Sequence, residues 1–164
     1  MHTDIPKIKQ EAGKLSLKEL DINSNVILLL PTTGVELKTL PYGTEIEQRT
    51  KRSGYKLDSG SPFTTDLPNK TSTRVALAGI DPKKSTFDLL TLARKLVAAH
   101  KAQKPERIAI ACYGLKPAEA ERTTEALMAA LLAANFQMPD YKSKPDKPAK
   151  LKEIHIFGNV ARDG

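Results

Sequence analysis

The chain has 164 residues and a formal net charge of +7, from 26 lysines and arginines against 19 aspartates and glutamates. It is 40% hydrophobic and 27% charged, which is the composition of an ordinary globular domain, and no apolar run reaches the roughly 18 residues of a membrane span. The single cysteine, Cys112, excludes an internal disulfide, and the first residues lack the layout of a signal peptide. We therefore expect a cytoplasmic protein without a membrane partner.

The first 72 residues contain few regular patterns. A compact apolar run at 25–30 predicts a buried strand, and the polar run at 45–53, which a glycine follows, predicts a short helix. Residues 57–69 are rich in serine, threonine, aspartate, glycine and proline, so we expect a loop there. Short strands are predicted at Lys7–Gln10, on a sheet edge, and within the loop at Phe63–Asp66.

The second half alternates strands with helices. Apolar runs predict buried strands at 74–80, 107–112 and 154–157. A capping box at Ser85 opens one helix, in which residues 87, 90, 93, 96, 97 and 100 form the apolar face, and Pro117 begins a second helix that continues to residue 135. Strands joined by helical crossovers pair in parallel. We predict an α/β fold of three layers, α/β/α, with a mixed sheet.

No residue pattern predicts a catalytic or metal site. The three histidines, His2, His100 and His155, have no second histidine or cysteine at ligand spacing. We expect His100 to be structural, at a helix end where a cation is favoured, and His155 to face solvent or to be satisfied locally. Cys112 lies in a buried strand, so we expect it to be inert.

Two strand-to-helix turns are candidate phosphate sites, because ligands favour the carboxyl ends of parallel strands. The turns at 81–85 and 113–117 have one nearby glycine each, Gly79 and Gly114, and no glycine-rich cradle. Ordinary turns are therefore expected. The run at 58–61 places serine beside aspartate but lacks a nucleophile frame, so it too is predicted to be a turn.

Residues 137–151 contain four lysines and three prolines. The segment could be a nucleic-acid arm, but Tyr141 is the only aromatic residue there that could stack on a base. We expect an ordered connection between the last helix and the last strand, with Phe136 and Tyr141 at least half buried. If nucleic acid is bound, the candidate contacts are Lys142, Lys144, Lys147 and Lys150.

The run Asn-Phe-Gln-Met-Pro-Asp-Tyr-Lys-Ser-Lys at 135–144 resembles the sequence that closes the amino-terminal domain of the leucyl aminopeptidase family of metallopeptidases. The strand at 74–80, the helix after it and the strand at 108–111 follow the same order as in that domain. The resemblance covers about residues 73 to 158 and is loose over residues 1 to 72.

The resemblance implies a macro-domain-like fold in a larger enzyme. Enzymes of this family are usually hexameric, and they release amino-terminal residues with two divalent metals, zinc or manganese, held in a catalytic half. The motifs of that half, F-D-S-G-G and N-T-D-A-E-G-R-L, are absent from this sequence, and 58–60 lacks their context. Residues 1–164 are therefore expected to be a single non-catalytic domain, whose partner is a catalytic domain of the same polypeptide. It would support oligomer assembly and active-site access.

Two other functions remain open at this level. Some members of the family bind DNA, and the net charge of +7 and the lysine segment favour weak DNA binding. A macro-like fold also allows an ADP-ribose pocket near residues 79–81, an expectation based on fold analogy alone.

Overall fold

The computed structural model describes residues 6–11, 15–101, 105–135 and 151–157. Within these ranges the chain forms six strands and four α-helices, with 3₁₀ turns at Leu37–Thr39 and Leu57–Ser59. The strands are β1 (Lys7–Gln10), β2 (Asn25–Pro31), β3 (Phe63–Asp66), β4 (Arg74–Ile80), β5 (Arg107–Cys112) and β6 (Glu153–Ile156). The helices are α1 (Leu17–Ile22), α2 (Gly43–Ser53), α3 (Thr86–Lys101) and α4 (Pro117–Asn135).

The six strands form one mixed sheet in the order β1-β6-β5-β2-β4-β3. All neighbouring strands are parallel except β3, which pairs antiparallel with β4 at one edge. Strand β2 lies between β4 and β5, where Leu28 is opposite Leu77 and Ala111. Its residues Asn25 to Leu30 are all buried, as expected for a strand covered on both faces.

Helices cover both faces of the sheet. On one face, β2 residues Ile27 and Leu29 pack with Leu96 of α3 and Leu127 of α4 in one core cluster. On the other face, Leu28 packs in a second cluster that includes residues from α1 and α2. The predicted fold class, three layers with a mixed sheet, is confirmed.

Several predicted boundaries are confirmed by their capping contacts. Helix α2 ends at Gly54, whose φ of 77° is the left-handed conformation that glycine favours. At the start of α3, the Ser85 hydroxyl accepts a hydrogen bond from the backbone N–H of Asp88 at 3.1 Å. The edge strands at Lys7–Gln10 and Phe63–Asp66 also form as predicted. Helix α1, which Ser16 caps, was not predicted because it is only six residues long.

One residue of α3 does not lie on the face that the spacing of apolar residues predicts. Phe87 was expected on the core face, but it is 72% exposed. It is in the first turn of the helix, and the core face begins with Leu89. The later core positions Ala93 and Leu96 were predicted correctly, because from there the helix lies against the sheet.

The two described histidines are both buried. His100 is fully buried and structural, but it is not a cation: desolvation lowers its pKa to about 4, so the expected charge at the helix end is wrong. His155 is also buried, which contradicts the solvent-facing alternative, and its Nδ1 lies 2.8 Å from a carboxylate oxygen of Glu11. The alternative of local satisfaction is confirmed for Nδ1 only, because the buried Nε2 has no hydrogen-bond partner among the described residues.

The predictions for the lysine segment lie outside the described residues. They concern burial of Phe136 and Tyr141 and contacts by Lys142, Lys144, Lys147 and Lys150. These stay predictions.

Candidate functional site

The carboxyl ends of β2, β4 and β5 meet at one edge of the sheet, because the three strands are parallel neighbours. Pro31 at the end of β2 is opposite Ile80 at the end of β4. Two clefts open at this edge, and Ile80 contributes to both. In parallel α/β sheets this is the edge where ligands are usually bound.

The first cleft, which we call the α3 cleft, has a volume of about 200 Å³. It lies between helix α3, the end of β4 and the 3₁₀ turn Leu57–Ser59. Apolar side chains from Leu57, Ile80, Leu89 and Leu92 line part of it. The remaining lining residues are polar or glycine: Thr32, Asp58, Gly60, Gly79, Asp81, Lys84, Asp88, Thr91 and Lys95.

Gly79 allows the 3₁₀ turn to approach β4. A Cβ built on Gly79 would overlap the carbonyl oxygen of Leu57 and lie 2.9 Å from its carbonyl carbon. Any side chain at this position would therefore push the turn away from the strand. The turn is held further along by Tyr55, whose hydroxyl donates to the carbonyl of Ser61 at 2.7 Å. The 57–61 segment thus forms one wall of the α3 cleft.

Helix α3 forms the opposite wall with one face. Asp88, Thr91, Leu92 and Lys95 follow the three- and four-residue spacing that places side chains on the same side of a helix. The Lys95 ammonium lies 3.4 Å from both the Gly60 carbonyl and the Ser61 hydroxyl, across the cleft. Lys95 therefore links the two walls.

Aspartates lie at the end of the α3 cleft where β4 stops and α3 starts. The carboxylate of Asp81 accepts a hydrogen bond from the backbone N–H of Lys83 at 2.9 Å. Asp88 is in the first turn of α3, where a carboxylate interacts favourably with the helix dipole. Asp58 lies on the facing turn. These carboxylates do not form a metal-binding cluster, and none was found among the residues that the structure describes.

The second cleft, of about 350 Å³, is more apolar. Three prolines, Pro31, Pro82 and Pro117, surround it together with Ile80 and Leu115, and Gly114, Lys116 and Glu119 complete the lining. Gly114 has a φ of 75°, but a Cβ there would lie 2.5 Å from Val35, so a side chain already covers the turn.

Two buried ionisable groups near this edge, Cys112 and Tyr113, are neutral at neutral pH. Burial raises the pKa of the Cys112 thiol to about 11 and the pKa of Tyr113 to about 12. The Tyr113 hydroxyl donates to the carbonyl of Leu15 at 2.8 Å and is committed to that contact. Ser59 belongs to a turn, as predicted. Its hydroxyl lies 3.4 Å from the backbone carbonyl oxygen of Ser61 and 3.4 Å from the backbone nitrogen of the same residue.

The sequence located this site only in part. Residues 79–81, a candidate ligand position from the sequence, do line the α3 cleft. The contributions of Asp88 and Lys95 were missed, because polar residues on a helix read as a solvent face until the neighbouring turn is placed. The four candidate lysines of the 137–151 segment lie outside the part of the chain that the structure describes.

The comparisons with known proteins found similar structures but no match by sequence. No protein-family model matches the chain, and no curated protein matches it. Among solved structures, a mutant of tomato leucine aminopeptidase matches 96% of this chain with a TM-score of 0.65 and 18% identity. The match covers 34% of that protein, so this chain spans about a third of its length. The macrodomain of Thermus aquaticus DarG matches with a TM-score of 0.49 and 13% identity, over 94% of this chain and 99% of that one.

The chain therefore shares its fold with a part of a leucine aminopeptidase. None of the helices in the described ranges is both long and apolar enough to cross a membrane.

Proposed function

We propose that the chain is the non-catalytic, amino-terminal domain of a two-metal leucyl aminopeptidase. The observation that carries the proposal is the fold match to a third of tomato leucine aminopeptidase over 96% of this chain. The run at 135–144, which resembles the end of that domain in the family, supports it independently, since it comes from the sequence rather than the fold.

In this proposal the chemistry belongs to a catalytic domain of the same polypeptide. That domain would hold two zinc or manganese ions, which activate a water for attack on the amino-terminal peptide bond. Residues 1–164 would support a hexamer and shape access to the active sites. The described residues of this chain offer buried, neutral side chains such as His100 and Cys112, and these suit a structural role.

The proposal is tested first on the coding sequence and then on the protein. We expect the reading frame after residue 164 to encode F-D-S-G-G followed by N-T-D-A-E-G-R-L. The full-length product should release leucine from leucyl amide with Mn²⁺ or Zn²⁺ and sediment as a hexamer, and residues 1–164 alone should be inactive. A stop codon directly after residue 164, or metal-dependent activity of the isolated chain, would overturn the proposal.

A second candidate function is ADP-ribose binding, because the α3 cleft lies at residues 79–81 where fold analogy placed it. Its volume of about 200 Å³ is below the roughly 300 to 1,000 Å³ of typical ligand pockets, and the turn at Leu57 packs on Gly79. Three aspartates against two lysines also disfavour a diphosphate. The leading proposal is therefore the aminopeptidase domain.

A further inference from the structure

We propose that the open edge of strand β3 binds an extended acidic peptide segment of another protein, which adds to the sheet as a further antiparallel strand. Strand β3 (Phe63–Asp66) lies at one end of the sheet order, and its described pairing is with β4, on one side. Main-chain hydrogen bonds to an open edge are a common way of recognising extended peptides. Binding at this edge does not depend on the aminopeptidase assignment.

The pairing of β3 with β4 determines which of its backbone groups face outward. Just beyond the strand, the Leu67 N–H donates to the Thr73 carbonyl at 2.8 Å, so these two residues form a hydrogen-bonded pair. Hydrogen-bonded and non-hydrogen-bonded pairs alternate along an antiparallel ladder. In the observed register, Asp66 and Thr64 therefore take the non-hydrogen-bonded positions, and their N–H and C=O groups point away from β4.

Two further contacts support this orientation. The guanidinium group of Arg49, on α2, donates to the outward carbonyl of Asp66. The N–H of Arg74, which lies opposite Asp66, points away from β3 and donates to the Ser24 carbonyl at 2.8 Å. Among the residues that the structure describes, the N–H and C=O of Thr64 and the N–H of Asp66 have no partner. An antiparallel strand would form its hydrogen bonds with these three groups.

The two edges of the sheet differ in how strongly they resist a further strand. Strand β1, at the opposite edge, carries Lys7 and Lys9, and lysines on an edge strand hinder pairing with another chain. Strand β3 carries no lysine, and its sequence Phe-Thr-Thr-Asp contains the aromatic and β-branched residues that favour strands. Thr64 and Asp66 are both exposed. The β3 edge is therefore the more accessible of the two.

Cations beside β3 favour an acidic partner. Arg49 lies against the edge, and Arg52 follows it by three residues, which places both on the same side of α2. Arg52 is exposed and has no ion-pair partner among the described residues. Glu45, four residues before Arg49, is also on this side, which leaves two cations against one carboxylate. The Asp66 carboxylate is paired with Arg74 at 3.3 Å.

A second copy of this chain fits the edge less well than an acidic segment does. If two β3 strands paired about a two-fold axis, Arg49 of both copies would lie at the same new ladder, where like charges repel. Acidic side chains at alternate positions of a partner strand would all point to one face of the sheet. That face would be the one on which Arg49 and Arg52 lie.

The test uses NMR to measure binding of the acetylated and amidated pentapeptide Glu-Thr-Glu-Thr-Glu to the protein. We expect a Kd on the order of 1 mM, with the largest shifts at the amides of Thr64 and Asp66. At low salt, the analogue Gln-Thr-Gln-Thr-Gln should bind about fivefold more weakly. No binding at about 10 mM peptide, or shifts centred on β1 or on the α3 cleft, would overturn the proposal.

Two N-methylated peptides test for pairing through the backbone. One is methylated at the central glutamate and the other at both threonines. Because alternate N–H groups of a strand face its neighbour, one of the two peptides should bind about tenfold more weakly than the other. Equal affinity of the two would overturn the proposal. This comparison needs no variant of the protein, so it holds even if a variant fails to fold.

Two proline variants assign the binding to one edge. Thr64→Pro removes an outward N–H without breaking a bond to β4, and it should weaken binding about tenfold. The matched control is Ile8→Pro, at an outward position of β1, since the neighbouring Lys7 N–H donates to the Lys152 carbonyl of the chain beside it. Ile8→Pro should bind like the wild type. Equal losses in both variants, or a dimer of the protein that Thr64→Pro dissociates, would overturn the proposal.

Arg52→Gln tests the selection for acidic side chains. This change should reduce the difference in affinity between the glutamate and glutamine peptides, with little effect on the glutamine peptide itself. If the difference is unchanged in Arg52→Gln, and in Arg49→Gln as well, the cations of α2 do not select the partner and the acidic assignment is wrong.

Discussion

Nδ1 of His100 lies 2.9 Å from the side-chain amide oxygen of Asn25, and Nε2 of the same ring lies 3.1 Å from the carbonyl oxygen of Val26. A neutral imidazole carries one N–H. Both partner atoms are acceptors, so the neutral ring donates its N–H to only one of the two oxygens at a time. This buried arrangement links α3 to the beginning of β2, and it is desolvation that lowers the pKa of the ring and favours its uncharged form.

The stability of the protein should therefore fall between pH 6.5 and pH 4. The folded-state pKa of His100, about 4, is below the ordinary value of 6.5, so the unfolded chain takes up a proton first as the pH falls. The contribution of His100 is complete above pH 6.5 and is lost by pH 4, and it amounts to about 3 kcal/mol. Urea denaturation of the wild type and of His100→Gln between pH 6.5 and pH 4 measures this contribution to the free energy of unfolding.

The difference between the two curves isolates His100, because both proteins share all other titrating groups. If the free energies of unfolding of the two proteins changed in parallel with pH, the lowered pKa of His100 would be contradicted. In Asn25→Asp, a carboxylate would face Nδ1 and favour the protonated ring. We expect the ring NMR signals of His100 in this variant to titrate at a higher pH than in the wild type.

Gly79→Ala should loosen the wall of the α3 cleft. The new methyl group would overlap the Leu57 carbonyl, so the turn at Leu57–Ser59 must move away from β4. We expect a loss of about 1 to 3 kcal/mol in the free energy of unfolding. Hydrogen exchange should show reduced protection of the Ser59 amide, which donates to the Lys56 carbonyl at 3.1 Å.

Gly54→Ala is the matched control for that change. Gly54 has a φ of 77°, so alanine is strained there by about 1 kcal/mol, but a Cβ would meet no atom within 4 Å. Ser59 exchange should be unaffected in this variant. Equal loss of Ser59 protection in both variants would show that the turn responds to global stability and not to the contact at Gly79.

Tyr113→Phe should weaken the attachment of Leu15, which lies just before α1. The hydroxyl of Tyr113 donates to the carbonyl of Leu15, and its removal leaves a buried acceptor without that donor. The expected cost is about 1 kcal/mol. Burial raises the pKa of Tyr113 to about 12, so its contribution is present below pH 10 and is lost as the pH rises from 10 to 12.

Ultraviolet titration of the phenol groups checks this point. In the wild type two tyrosines, Tyr55 and Tyr113, should ionise near pH 12, and in Tyr113→Phe that component should be smaller by one group. Tyr55, whose pKa burial also raises to about 12, remains in both proteins. If the component near pH 12 were unchanged and the loss fell at lower pH, burial would not raise the pKa of Tyr113.

DNA binding, if it occurs, should be independent of sequence and sensitive to salt. Replacing Lys142, Lys144, Lys147 and Lys150 together by alanine removes at most four phosphate contacts, so the slope of log K against log salt should fall by roughly 3 to 4. Fluorescence anisotropy with two unrelated duplexes measures this slope. A variant with four other lysines replaced by alanine serves as the control: Lys18, Lys51, Lys56 and Lys70, which are all exposed. An equal fall in slope for both sets would exclude a specific role of the segment.

The sequence by itself determined the class of the fold. Buried strands at 74–80 and 107–112 have no polar residue in their interiors, so both faces must be covered, and the helices between them impose parallel pairing. The sequence also predicted two helix ends, at which a single residue sets the backbone conformation or the capping contact. Gly54 ends α2 and Ser85 caps α3, because these contacts involve neighbours within four residues.

Tertiary structure alone decided the charge of His100 and the composition of the α3 cleft. The ring at a helix end looks like a favourable cation until β2 is placed against it and water is excluded. Lys95 and Gly60 are 35 residues apart in sequence, and they meet only because Gly79 lets the 57–61 segment fold down onto β4. Contacts of this kind depend on which surfaces are brought together in space, and periodicity along one element carries no information about its partner.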